Sequence, residues 1–476
     1  MRIKSLLLLA SCVWASSAWS AVRHVPADYP TVQLALNASS SGDQVLVAAG
    51  TYHENLVLGA AQNGVVLTSE SGAAVTILDG SAAGTVIRCS AVGNTTVISG
   101  FTITNGGGGV IGAGLNLSGA SPRIENNWIH DNLANVAGGM YVDGGAPTLT
   151  GNTIRDNRAQ YGSGGGIYYD HFAGGRIAGN LIEHNLCAAF GGGLSLWEGS
   201  NPLVEDNQIL RNEAVNGGGC TITRGSSPTL RGNQITDNLA PTGSGGGLLC
   251  TLDSSPTIEG NTIASNRSAS GGGCFFDYAP APTLRGNIIR DNQAPYGSGG
   301  GIYCDHSSNP LIQSNVIARN SCGAYGGGIS LWEGSNPRVW SNTLVQNQGP
   351  LGGGGIYLTR SAGADLQRNI LAFHSVGGGL VRDASALTPT FGCNDAWSNA
   401  PSSYQGVPNP TGTGGNFAQD PLFCDLGTLD LHLEATSPCA TLLSPPGCNL
   451  VGALDVSCGP TRVRRSSWGS LKAGYR

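Results

Sequence analysis

The chain has 476 residues, 75 of them Gly, with 11% charged and 6% aromatic residues. An ordinary globular domain carries roughly 7% Gly and about 25% charged residues, so a standard mixed fold is excluded; Gly without a three-residue period and a hydrophobic share of 40% exclude collagen and a disordered tract. A net charge of −6, with Lys only at positions 4 and 472, leaves no basic field for nucleic acid and argues against a catalytic Lys.

At the N-terminus, Arg2 and Lys4 precede an apolar run from Ser5 to Ala10 that continues through Val13 and Trp14 to Ala18-Trp19-Ser20. This pattern predicts an export signal over residues 1–20 and a mature chain that starts at Ala21. Leu9-Ala10-Ser11-Cys12 also has the form of a lipobox, in which Cys12 would be lipidated. The apolar stretch before Cys12 is short for a signal core, which favours plain secretion over a lipoprotein at the outer cell surface. No later apolar run approaches the ~18 residues of a membrane helix.

Pro30 marks a helix start, and Val32, Leu34, Ala35 and Leu36 give a short apolar helix. Residues 56–125 alternate in hydrophobicity as irregular short strands do. From there one pattern, aliphatic-x-x-Asn-x-aliphatic-x-x-Asn followed by a Gly cluster and a short strand, recurs through the chain. Its first Asn falls at 127, 152, 180, 207, 233, 261, 287, 315, 342 and 369, and its second at 132, 157, 185, 212, 238, 266, 292, 320 and 347, with His374 in the last copy. Apolar stretches this brief are strands, and a unit of about 27 residues with two or three of them is the size of one coil of a parallel solenoid. Stacked coils lie ~4.8 Å apart, so equivalent Asn residues would form two ladders. The Gly clusters, phased with the ladders, are expected to supply turns with positive φ where no side chain fits. The N-terminal helix would cover the first coil and so protect an open strand edge.

These repeats resemble those of secreted right-handed parallel β-helix proteins of the pectin-lyase-like superfamily. RDNRAQYGSGGGIYY (155–169) is also similar to repeats of chlamydial polymorphic outer-membrane proteins, although Ile154 stands where those carry an aromatic residue. The likeness spans about residues 21–458, with 25–58 similar to the opening region of such proteins and 420–440 to their closing segment. It implies an all-β, right-handed parallel β-helix over 21–390, with a short N-terminal capping helix. An irregular, Cys-containing cap over 391–460 is expected to cover the other end after the ladders stop near 385. A basic tail follows over 461–476, either merely solubilising or an anchor.

Removal of the signal leaves twelve Cys, an even count that fits disulfides in an oxidising compartment. Cys393, Cys424, Cys439, Cys448 and Cys458 crowd the cap, with pairing left open. Cys220, Cys250, Cys274 and Cys304 follow Gly clusters at inward positions, where a free thiol packs as a small hydrophobe equally well. No C-x-x-C spacing supports a metal site.

Residues 155–207 and 290–342 are near copies displaced by 135 residues, which is five coils. The fourth residue after each Gly cluster forms a column that includes Asp143, Asp170, Trp197, Asp277, Asp305 and Trp332; the fifth gives His171, Glu198 and Arg224, then His306, Glu333 and Arg360. With Ile167 and Tyr169 inward, period two points Tyr168 and Asp170 outward, and Tyr303 likewise in the copy. The expectation is two surface patches on three neighbouring coils each, Tyr168, Asp170, His171, Trp197, Glu198 and Arg224, then Tyr303, Asp305, His306, Trp332, Glu333 and Arg360. An exposed Trp beside carboxylates and Arg suits a sugar, whose apolar face stacks on the indole while its polar groups meet the charges. The bland alternative is a solvated charge ladder copied by duplication.

Catalysis would draw on the same candidates. Asp170 with Glu198, and Asp305 with Glu333, are carboxylate pairs of the kind glycoside hydrolysis needs, and Arg224 and Arg360 beside acidic groups are similar to the Arg base and calcium ligands of pectate lyases. Yet the chain carries no DPHD, QDT, DFIFG or GHG signature of the catalytic families and no GGxGxD calcium repeat. The sequence therefore reads as an exported envelope or extracellular module, structural or adhesive, that binds polysaccharide or cell-surface glycan along one face without a cofactor. A lyase or hydrolase of a uronic-acid polymer, with calcium as its possible ion, is the alternative.

Overall fold

The computed structural model describes residues 20–458, so the export signal, Cys12 and the basic tail lie outside the described residues. Within them the chain winds as a parallel β-solenoid. A representative coil runs through Ile167–Asp170, Arg176–Ala178, Leu181–Glu183 and Leu186–Phe190 before it re-enters at Leu194–Leu196. These strands belong to four sheets, here termed C, A, B and D, of 14, 15, 14 and 8 strands. Every neighbouring pair in them is parallel, as between Ile167–Tyr169 and Leu194–Leu196.

Register is fixed by what must face inward. On sheet B, isoleucines from Ile129 through Ile154, Ile182 and Ile209 to Ile317 stand directly above one another and are fully buried. A slip by one residue would turn this whole stack to solvent, so the pairing has one solution.

Both Asn ladders form. Each interior amide accepts from the backbone N–H and side-chain Nδ2 of the Asn one coil earlier and donates to a backbone carbonyl, as Asn212 does to Asn238 Oδ1 (2.9 and 3.1 Å) and to Ile182 O (2.9 Å). The residue before a ladder Asn often sits in the left-handed region, for example Asp156 (φ 53°) and Asp206 (φ 54°), which makes the corner. The ladders do not stop near 385: Asn369 passes to Asn394 and Asn394 to Asn416, while His374 passes to Asn399. The last step shortens to 22 residues and His374 replaces an Asn in the second ladder, which hides the repeat.

The Gly clusters divide the two parts of their expected role among their members. Gly164 has φ 71°, but Gly165 and Gly166 are needed for space: a Cβ would meet Gly192 O at 2.5 Å and Gly193 O at 2.6 Å in the next coil. The N-terminal helix spans Val32–Asn37, with Thr31 rather than Pro30 as its N-cap. It buries Val32, Ala35 and Leu36, whereas Leu34 faces solvent.

The C-terminal segment departs from its expected place. After Asn416 and Phe417, which extend the ladder and sheet B by one step, it folds back along sheet B instead of lying across the end. Leu431, Leu433, Cys439, Cys448 and Val451 pack on the outward-facing Val316, Ala318, Val345, Ile370 and Ala372. Sheet B has apolar residues on both faces over these coils, so the segment hides a face and not an edge. Disulfides Cys393–Cys448 and Cys424–Cys458 hold it. The other eight described cysteines, Cys439 and the four inward ones included, are free and buried. Burial pushes the Cys220 and Cys274 thiols up to about 12, which keeps them protonated and inert. Among the described residues no helix is long and apolar enough to cross a membrane.

Candidate ligand-binding face

The outward residues of sheet C form a register column, Tyr141, Tyr168, Ser195, Thr221, Leu249, Phe275, Tyr303, Ser330 and Tyr357. Where the column carries a small Ser, a Trp two residues on folds back over it: Trp197 Nε1 donates to Ser195 Oγ, and Trp332 Nε1 to Ser330 Oγ, both at 2.8 Å. The result is two aromatic strips. In the first, Tyr141 meets Tyr168 at 5.4 Å between ring centroids, and Tyr168 and Phe190 meet Trp197 at 5.9 and 5.7 Å. In the second, Phe275 stacks on Tyr303 at 4.8 Å, while Trp332 lies 6.0 Å from Tyr303, 6.5 Å from Tyr325 and 6.4 Å from Tyr357.

This packing changes the expected exposure. Tyr168 and Asp170 do point away from the coil interior, but each is only 8% exposed because neighbouring coils cover them. Trp197 and Trp332 are half-buried, not free-standing. The most exposed rings are instead Tyr161 and Tyr296, duplicates at 76% and 77% exposure, and Phe172 at 81%.

A chain of alternating charge borders each strip. His171 Nδ1 lies 2.8 Å from Asp143 Oδ1, His171 Nε2 lies 3.4 Å from Glu198 Oε2, and Arg224 Nη1 lies 3.0 Å from Glu198 Oε1. The copy repeats it: His306 is 2.7 Å from Asp277 and 2.9 Å from Glu333, which is 2.6 Å from Arg360. Each guanidinium also sits on its Trp, at 4.6 Å for Arg224 on Trp197 and 4.7 Å for Arg360 on Trp332. Asp170 and Asp305 are held from behind, each accepting from a Tyr hydroxyl (3.0 and 3.3 Å) and from the following His N–H (3.0 Å).

The Asp170 carboxylate and then the hydrogen bond to Asp143 raise His171 above the usual imidazole range. For His306, burial works against the charge, but the hydrogen bond to Asp277 and the nearby carboxylates still raise it. Burial raises Asp305 as well. His171, Glu198, Arg224 and their copies all have positive φ, between 40° and 54°. Because the ladder corners share that conformation, it belongs to the coil's turning and is no separate sign of function.

The structure thus brings together all twelve candidates as two sets of six. Sequence reasoning passed over Asp143 and Asp277, the outer partners of the histidines, although they stand in the same column one coil earlier. It also missed the contacts of Tyr141, Phe190, Phe275, Tyr325 and Tyr357. The copies are not identical. Tyr278 stacks on His306 at 4.5 Å, whereas Gly144 occupies the equivalent position beside His171.

The family model described as the right handed beta helix region matches residues 85–263 and 241–371, more than half of the chain. The chain belongs to the right-handed β-helix family. No curated protein matches this β-helix chain. Among solved structures it is similar to one described as a mannuronic acid specific polysaccharide family 6 lyase from human gut microbiota. The identity is 13% over 84% of this chain and 90% of that one, with a TM-score of 0.39. In the β-helix protein the paired strips therefore have to be read from their own chemistry.

Proposed function

We propose that the protein is an exported β-helix module of the cell envelope or extracellular space that binds polysaccharide along sheet C. The observation that carries this reading is the duplication of one aromatic and ion-paired arrangement, with matching contacts, five coils apart on one face. Five coils at ~4.8 Å separate the copies by roughly 24 Å, a spacing that lets one long polymer engage both and gain by avidity. Each strip presents ring surface for the apolar face of a sugar and bordering carboxylates for its hydroxyls. Two disulfides fit an oxidising compartment, which supports export.

The test is affinity electrophoresis of the protein through gels that contain neutral, cationic and uronic-acid polysaccharides, each then stained for polymer loss. Retardation without clearing is the expected result. Trp197→Ala combined with Trp332→Ala should abolish it while melting temperature changes by only a few degrees; unchanged retardation would leave the charge rows as structural ladders only.

A lyase or hydrolase is the second reading, because Asp170, His171 and Glu198, and again Asp305, His306 and Glu333, bring donor atoms within 4.8 Å of one another. Against it, the oxygens of Asp170 and both His171 nitrogens are already engaged, so proton transfer would first have to break these pairs. Calcium takes six to eight oxygen ligands, which two carboxylates and an imidazole match poorly. New reducing or unsaturated sugar ends in the same gels would establish catalysis.

A further inference from the structure

We infer that the face selects polymers of hexosamines with free amino groups and excludes uronic-acid polymers. This rests on the glycan-binding reading above and adds the charge of the sugar. In the first strip three carboxylates, Asp143, Asp170 and Glu198, stand against two cations, His171 and Arg224, and the second strip repeats that balance with Asp277, Asp305 and Glu333 against His306 and Arg360. Each strip carries a net charge of −1 even with its imidazole protonated.

Both cations already lie against acids. His171 lies within 3.8 Å of all three acids, and Arg224 places Nη1 on Glu198 and its guanidinium over the Trp197 ring. A uronate brought here adds a fourth negative group to a site whose positive charges are already paired, and like charges at such distances repel. A cation meets the opposite situation. The Arg224 guanidinium, on an indole face and against a carboxylate, shows that this surface holds positive charge through both cation–π and ionic contact, and Arg360 repeats it. An ammonium-bearing sugar ring meets both elements: its apolar face goes to the aromatic strip and its ammonium to Asp143, or to Asp277, acids that each pair with a single imidazole through Oδ1.

The experiment is calorimetric titration of the full chain with three oligosaccharides of equal length: a glucosamine oligomer, its N-acetylated form and a galacturonic acid oligomer. At low salt the glucosamine oligomer is expected to bind at least 10-fold more tightly than either of the others, with the preference shrinking as salt rises. Asp143→Asn with Asp277→Asn should cut that preference about 10-fold. Equal binding of the amino and N-acetylated forms, or tighter binding of the uronate, would overturn the charge selection and leave glycan binding intact. No binding of any oligomer or of polymers in the gels would remove the glycan reading and this inference with it. A circular-dichroism melt of the double variant shows whether it is folded, and Asp143→Ser serves as a second variant if it is not.

Discussion

At the scale of single residues, His374 shows how a ladder position constrains chemistry. It replaces Asn in the second ladder, accepts from the Asn347 N–H at Nδ1 (3.1 Å) and leaves its buried Nε2 without a partner. Burial pushes its pKa down to about 3 from an unfolded value near 6.5, so the folded state holds the neutral ring. Its contribution is present above about pH 6.5 and is lost as pH falls towards 3, because there the unfolded chain binds the proton; the full swing is of the order of 4 to 5 kcal/mol. His374→Asn should flatten stability over that window and restore a bond to the carbonyl behind it. Urea melts at pH 7, 5 and 4 check this, and parallel curves for the two proteins would rule it out. The same scale explains what was legible in the candidate site. Alternation in the strand was enough to set Tyr168 and Asp170 outward, but their burial depends on ring sizes one coil away, in Tyr141 and Trp197, which no local pattern contains.

Among the elements, the ladders and the Gly clusters are two halves of one corner. Asn238 accepts twice from Asn212 and donates to Ile209 O (2.9 Å) and to Asn266 Oδ1 (3.0 Å), all of it buried. At about 1 kcal/mol per bond, plus the cost of leaving buried partners unmet, Asn238→Leu should lose roughly 4 kcal/mol or more, whereas Gln234→Ala, exposed on the neighbouring strand, should lose under about 1. Chemical denaturation of both variants makes the comparison; similar losses would show that the ladder adds nothing beyond shape. Gly219 meets the Asn238 amide at 2.9 Å from where a Cβ would stand, so the bare backbone is what admits the ladder side chain. That coupling is why the coils were legible: Asn and Gly must recur in phase wherever the corner recurs. It also explains where legibility failed, since the last coils keep Asn394, Asn399 and Asn416 but shorten the last step and place His374 in the second ladder, and the chain after them follows disulfides and apolar packing that carry no period.

For the whole molecule, stability in a solenoid is close to a sum over coils and their neighbours, so damage at one end need not reach the other. The C-terminal segment modifies this rule locally. It lies on sheet B across several coils at once, with Ala453 N bonded to Thr343 Oγ1 (2.9 Å) and Gly452 N to Arg368 O (2.8 Å), and so ties together coils that otherwise meet only in pairs. Cys393–Cys448 closes 55 residues of chain over this region, which on chain-entropy grounds is worth about 4 kcal/mol. Replacing both cysteines by Ser should therefore release the segment and expose Val316, Val345 and Ile370 without melting the coils that carry the aromatic strips. Hydrogen exchange followed by mass spectrometry reads this directly: protection should fall over 418–458 and along the outer face of sheet B, and remain unchanged over 155–230 on sheet C. Loss of protection in both regions at the same denaturant concentration would mean that the fold-back is part of one cooperative unit, and that the ligand-binding face depends on a segment packed against a different sheet.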